Sequence, residues 1–165
     1  MLIKILFREM KEMSKLKETK SFDYPIENVF KGFIKITKRE FPKFNEKNPI
    51  GIKHSRVVKD NGNRKLKMLM EITKFEKNKV YEITSKINND RYISRYTFNK
   101  VNEDETTVML EEEQHVKDFM SKIVVIIQSF LGTNKIKKKI TRMSTGVTEE
   151  IELMKSKMEK NAKKY

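Results

Sequence analysis

The sequence predicts an α+β fold in which a curved six-stranded antiparallel sheet wraps around one long C-terminal helix. Three observations carry this. From Thr133 to Lys160 the residues Ile136, Ile140, Met143, Val147, Ile151, Met154 and Met158 recur at steps of three and four, which draws one apolar stripe along a helix. Between Ile50 and Val116 apolar residues instead recur at every second position, the period of half-buried strands. Short polar segments interrupt that run at hairpin spacing. An antiparallel sheet with one dry face needs a cover, and the terminal helix provides it, with room for a cavity between the two.

The elements follow in order. Residues 15–24 alternate loosely and predict a first strand. Tyr24-Pro25 ends it, since the residue before proline avoids the helical region while proline suits a first helical turn. Ile26, Val29, Phe30, Phe33 and Ile34 then keep helical spacing over 25–40, with Asp23 as a possible cap. Phe41 to Pro49 reads as a connection. Strands are expected at 50–59, 64–76, 80–88, 91–101 and 106–116. Asp60-Asn61-Gly62-Asn63 is the strongest turn signal, because Asn-Gly accepts positive φ. Ile123 to Leu131 is a short apolar segment, and Gly132 stops it before Thr133 or Asn134 opens the last helix. Gly146 inside that helix marks a bend, a close approach to the sheet, or space for a ligand. These bounds give an N-terminal extension at 1–14, a single domain at 15–160 and a frayed tail at 161–165.

Composition narrows the function classes. Apolar residues make up 37% and charged residues 36%, so the core is built sparingly and the strands keep one wet face. The absence of cysteine excludes disulfides, thiolate catalysis and cysteine metal sites, and fits a cytoplasmic setting. The net charge of +14 reads as a lysine-rich solvated surface or, more sharply, as attraction to anionic partners. Acidic residues gather around 103–105 and 111–113, and basic ones at Lys135, Lys137, Lys138, Lys139 and Arg142, which predicts a dipolar molecule. No aromatic stacking motif accompanies the basic run, so nucleic acid is not expected. The apolar 123–131 segment adjoins the basic cluster, which leaves two readings of 119–142: peripheral membrane contact, or a helix buried against the sheet. The apolar stretches are too short to span a bilayer.

The segment Lys17 to Phe33, where a strand runs into a proline and a helix carrying Val-Phe follows, resembles the helix-grip superfamily together with the terminal helix. That superfamily includes START lipid-transfer domains, the birch-pollen-allergen fold and polyketide cyclases. The resemblance spans about 15–160. It is nearest to an uncharacterised bacterial family, domain-of-unknown-function family 3284, which implies a fold and no established activity. Phe119–Leu131 departs from a minimal helix-grip chain and fits a lid, an oligomer contact or a membrane-touching element.

Such a fold places a cavity against the concave face. Its wall is expected from alternating strand residues, among them Leu66, Met68, Met70, Ile72, Tyr81, Ile83, Tyr92, Tyr96, Phe98, Val108 and Leu110, with Met143, Val147 and Ile151 from the helix. The same residues equally build a solid core. Polar residues of inward parity discriminate better. His54 and Arg56 share parity with Ile50, Ile52 and Val58, and Glu112 and Gln114 with Val108 and Leu110. If that parity holds, Arg56 and Glu112 pair across the mouth or meet a ligand's polar end; the alternative is a bulge that flips the parity, or a place at the sheet's wet rim. The candidate ligand-binding residues are therefore Met68, Met70, Tyr81, Tyr92, Tyr96, Met143 and Val147, with His54, Arg56 and Glu112. His54 and His115 have opposite parity, so no joint metal site or acid–base pair is expected, and no cofactor motif is present. The expected function is non-catalytic binding of an apolar or amphipathic, lipid-like small molecule. The alternatives are a cyclase- or hydrolase-type enzyme using His54 and Glu112, or an interaction module without a pocket.

Overall fold

The computed structural model describes residues 15–60, 62, 65–115 and 133–162. The expectations for 1–14, for the apolar segment 119–131 and its membrane contact, and for 163–165 lie outside the described residues. The chain runs β1 (Lys15–Phe22), α1 (Ile26–Glu40), β2 (Lys53–Asp60), β3 (Lys65–Glu76), β4 (Val80–Ile87), β5 (Asp90–Lys100), β6 (Thr106–His115) and α2 (Thr133–Ala162). The six strands form one antiparallel sheet in the order β1-β6-β5-β4-β3-β2. The meander β2 to β6 is thus completed by β1, which pairs with β6.

α1 begins directly after Pro25, whose carbonyl accepts hydrogen bonds from the Asn28 and Val29 amides. No side chain caps it, so Asp23 does not have the capping role its position suggested. The buried stripe Val29, Phe30, Phe33 and Ile34 faces the sheet. There Phe33 packs on Tyr96, Tyr81 and Phe98 with ring centroids 4.9, 5.2 and 5.2 Å away. Phe30 meets Phe98 edge-on at 5.0 Å and Phe75 at 5.8 Å. Edge-to-face contacts of this kind add about 0.5–1.5 kcal/mol each beyond burial. The cover of the sheet is therefore shared. α1 lies on the aromatic half, and α2 lies on β1, β6 and α1.

α2 buries Ile136, Ile140, Met143, Val147 and Ile151 as its spacing predicts. Met158, the last member of the stripe, is 63% exposed, because the helix has run past the sheet at that point. The helices cross closely. A Cβ on Gly32 would stand 3.1 Å from the Val147 carbonyl oxygen, and one on Gly146 would stand 2.9 Å from Ile36 Cδ1. Gly146 thus serves an approach to α1 rather than to the sheet. Buried Glu150 adds ion pairs to Arg39 and Lys35 of α1.

Two bulges alter the strand parity. The register slips between Val57 and Lys59 in β2 and between Ile72 and Lys74 in β3. At the second, Thr73 turns to the outer face and bonds Glu82 and Thr84, each through its hydroxyl. Phe75 is thereby brought opposite Tyr81 and onto the core. β2 starts at Lys53 rather than at Ile50, and Ile50 is 62% exposed. On the outer face Lys15 and Lys17 pair with Glu111 and Glu113, and Arg95 with Glu82. The hydrogen bond from Lys17 holds the Glu111 carboxyl below its ordinary pKa, and the one from Lys15 does the same for Glu113. The acids at 111 and 113 are therefore matched locally and do not form an open acidic patch.

Candidate functional site

The helices and the concave sheet do not fill all the space between them. A cavity of about 790 Å³ remains, within the range of small-molecule sites. The interior is therefore neither wholly solid nor without a pocket. Val108, Leu110, Ile72 and Phe98 are buried in packed core and do not border the space, whereas Met68, Met70, Ile83, Ile87 and Met143 do. α1 contributes Phe33, Ile36, Thr37 and Glu40.

Of the candidate residues, Met68, Met70, Tyr81, Tyr92, Tyr96, Met143, Arg56 and Glu112 line this cavity. Two do not. Val147 is fully buried under Gly32, as a helix–helix contact. His54 sits in the edge strand β2 and turns its ring toward Phe41, with centroids 6.2 Å apart. Three strands separate β2 from β6, so His54 and Glu112 are not brought together as an acid–base pair. Arg56 and Glu112 border the same space, but they do not pair.

Glu112 is taken instead by α2. Its Oε1 accepts from Lys139 Nζ at 2.5 Å and from Ser94 Oγ at 3.2 Å. Lys139 also donates to Ser94 Oγ at 2.9 Å. Burial works against the Lys139 ammonium, but the Tyr96 hydroxyl and the Glu112 carboxylate outweigh it, and its pKa lies above the ordinary lysine value. This linkage ties the start of α2 to the middle of β6.

Three polar atoms on the wall have no protein partner: the Tyr81 and Tyr92 hydroxyls and Glu112 Oε2. Each is buried. Burial, reinforced by the Glu40 charge, pushes the Tyr81 phenol pKa far above its ordinary value, and the Thr37 side chain opposes this without reaching hydrogen-bonding geometry. Burial, then the Asp90 charge, raises Tyr92 in the same way. A buried donor or acceptor left unmatched costs about 1–3 kcal/mol. All three face the same cavity.

The sequence signal for the rest of the lining was partial. Ser85 and Ser94 share parity with Ile83 and Tyr96 and were legible in principle. The basic residues at the start of α2 read as an outer face. Lys137 does point away, to Glu18 of β1, but Lys135, Lys138, Lys139 and Arg142 border the cavity. Among the described residues, no group of three or more His, Asp or Glu side chains is placed to hold a metal ion, and no helix is long and apolar enough to cross a membrane.

A family model described as "Domain of unknown function (DUF3284)" matches residues 16–132. No curated protein sequence matches the chain. Among solved structures, norcoclaurine synthase from Thalictrum flavum is similar over 82% of this chain and 87% of its own, at 13% identity and a TM-score of 0.54. Protein MLL2253 from Mesorhizobium loti is similar over 84% and 96%, at 11% identity and 0.55. DynU16, described as a putative protein in the dynemicin biosynthetic locus, is similar over 84% of this chain and 47% of its own, at 10% identity and 0.52. At these identities the likeness is one of fold, and the fold is the helix grip.

Proposed function

The chain belongs to the DUF3284 family, and on the geometry of its cavity we propose that it is a non-catalytic, cytoplasmic binding protein for an apolar or amphipathic small molecule. The observation that carries this is the cavity of about 790 Å³, walled by methionine, isoleucine and aromatic side chains yet holding three buried, unmatched polar atoms. The apolar wall would gain from covering a hydrocarbon body, at about 25 cal/mol per Å² removed from water. Methionines at 68, 70 and 143 adapt to varied shapes. The Tyr81 and Tyr92 hydroxyls and Glu112 Oε2 would orient the guest. The fold likeness to norcoclaurine synthase supports the architecture and leaves the ligand open.

The test is native mass spectrometry of the purified protein, followed by thermal shift with medium-chain alcohols, acids and amines. Retained or added ligand mass, with a melting temperature that climbs with ligand concentration, is the expected result. A bare protein mass and no shift with any amphiphile would refute the reading.

A cyclase- or hydrolase-type enzyme in the same cavity has one observation in its favour: Glu112 is a carboxylate 4% exposed among apolar walls, with one oxygen unmatched. It lacks its expected histidine, since His54 is elsewhere. Turnover of any substrate that Glu112→Gln abolishes and His54→Ala leaves intact would favour this second reading.

A further inference from the structure

The cavity has a strongly one-sided rim. Lys135, Lys138, Lys139 and Arg142 stand at i, i+3, i+4 and i+7 of α2, and therefore on one helix face. Arg56 of β2 borders the same space. Lys139 is matched by Glu112. The other four cations form no ion pair among the described residues, although lysines over the rest of the fold commonly do, as Lys15, Lys17, Lys38 and Lys137 illustrate. Among the described residues, Glu40 is the one other carboxylate that borders the cavity. The local excess is thus three positive charges.

The placement is costly for the helix. α2 has no acidic residue in its first turn and carries Lys135 there instead, against the positive end of its own dipole. An anion at the rim would relieve both the mutual repulsion and the dipole. A second feature points inward from the same space: the Tyr81 hydroxyl and Glu112 Oε2, on residues 1% and 4% exposed, are unmatched there. The site therefore has an interior made for contact as well as a charged entrance.

We infer that the ligand is an amphipathic anion. Its apolar body lies between Met68, Met70 and Met143, and its carboxylate or phosphate is held at the rim by Lys135, Lys138, Arg142 and Arg56. This rests on the binding role proposed above and adds the chemical class. A cationic headgroup would meet the charge excess unscreened, and a neutral one would leave it unanswered.

The experiment compares matched dodecyl compounds by calorimetry: dodecanoate, dodecyl phosphate, dodecanol and dodecyltrimethylammonium, with inorganic phosphate alone as the free-anion arm. The anionic amphiphiles are expected to bind about tenfold or more tighter than dodecanol. That ratio should shrink as salt rises from about 0.05 to 0.5 M. In the Lys135→Glu/Lys138→Glu variant the ratio should fall toward one, while the melting temperature holds or rises because acids now face the helix N-terminus. Should that variant fail to fold, Arg56→Gln on the exposed edge strand reads the same ratio. Dodecanol binding as tightly as the anions, or a ratio that survives both variants, overturns the inference and leaves the binding role standing. Inorganic phosphate displacing dodecanoate at comparable concentration also overturns it, in favour of a plain anion site. Failure of every compound, dodecanol included, overturns the binding role itself.

Discussion

Replacing Tyr81 by phenylalanine should make the protein more stable. The ring is 1% exposed and packs on Phe33 at 5.2 Å, Phe75 at 6.4 Å and Tyr96 at 6.5 Å. Phenylalanine keeps all of these contacts. What leaves is a hydroxyl that is buried and has no protein partner. A buried polar group in that state costs about 1–3 kcal/mol. Allowing for the nearby Thr37 side chain, we expect a gain of about 1–2 kcal/mol. For a chain of this size each kcal/mol moves the midpoint by about 2–4 °C, so the rise should be roughly 2–8 °C. Thermal and urea unfolding followed by circular dichroism measure it, with an unchanged urea slope as the sign that the native state alone has changed. Tyr24→Phe is the control. Its hydroxyl donates to Glu152 at 2.8 Å near the surface, and its removal should leave stability level or about 0.5 kcal/mol lower. If Tyr81→Phe lowers the midpoint, the hydroxyl is hydrogen-bonded in the folded protein, and the description of the cavity as polar and unmatched fails with it.

Three further outcomes follow from the same geometry. Burial first of all raises the pKa of Tyr81, Tyr92 and Tyr96 above the ordinary 10.0; the folded state then holds protons that the unfolded state releases, so stability is complete below about pH 10 and falls above it, by up to about 1.4 kcal/mol per pH unit per tyrosine, as urea titrations at alkaline pH will show. Gly32→Ala should destabilise by about 1–2 kcal/mol despite a helix-propensity gain of about 1 kcal/mol, because its Cβ would press the Val147 carbonyl at 3.1 Å and that backbone cannot retreat without moving α2. Gly146→Ala should stay within about 0.5 kcal/mol of the parent or exceed it, since the opposing atom is the flexible tip of Ile36; parallel urea curves for the two variants decide this, and equal losses would refute the distinction.

Much of the architecture was legible because its cues are local. Pro25 ends β1 and opens α1, and the alternation Leu66, Met68, Met70, Ile72 gives the buried face of β3 directly. The 3–4 spacing of Ile136 to Ile151 gives that of α2. What escaped depends on long-range geometry or on a break in periodicity. The bulge at Thr73 resets the alternation, so Phe75 is core although simple parity counting from Ile72 turns it outward. Val147 shares the helical stripe with Met143, but Gly32 of α1 draws it into a helix crossing that no single-helix pattern reveals. Arg56 and Glu112 have the right parity for a pair; the curvature that places Lys139 next to Glu112 is a property of the assembled sheet. The rim cations were visible as a run of charges, and only the docking of α2 separates Lys137 from its neighbours.

The strand order sets an uneven folding task. β2 through β6 can zip together hairpin by hairpin, since each meets the strand that follows it in the chain. β1 cannot. Phe22 lies opposite Thr106 and Lys15 opposite Glu113, so its partners are made more than eighty residues later, and closing that span carries the largest loop entropy of any pairing in the sheet. During synthesis β1 must wait until β6 has left the ribosome, whereas Phe30 and Phe33 of α1 meet their ring partners on β3, β4 and β5 earlier. The edge of β6 that β1 finally occupies is meanwhile open to a strand from another chain. Native pairing is thus a race between an intramolecular strand with a long tether and intermolecular ones at whatever concentration the cell supplies.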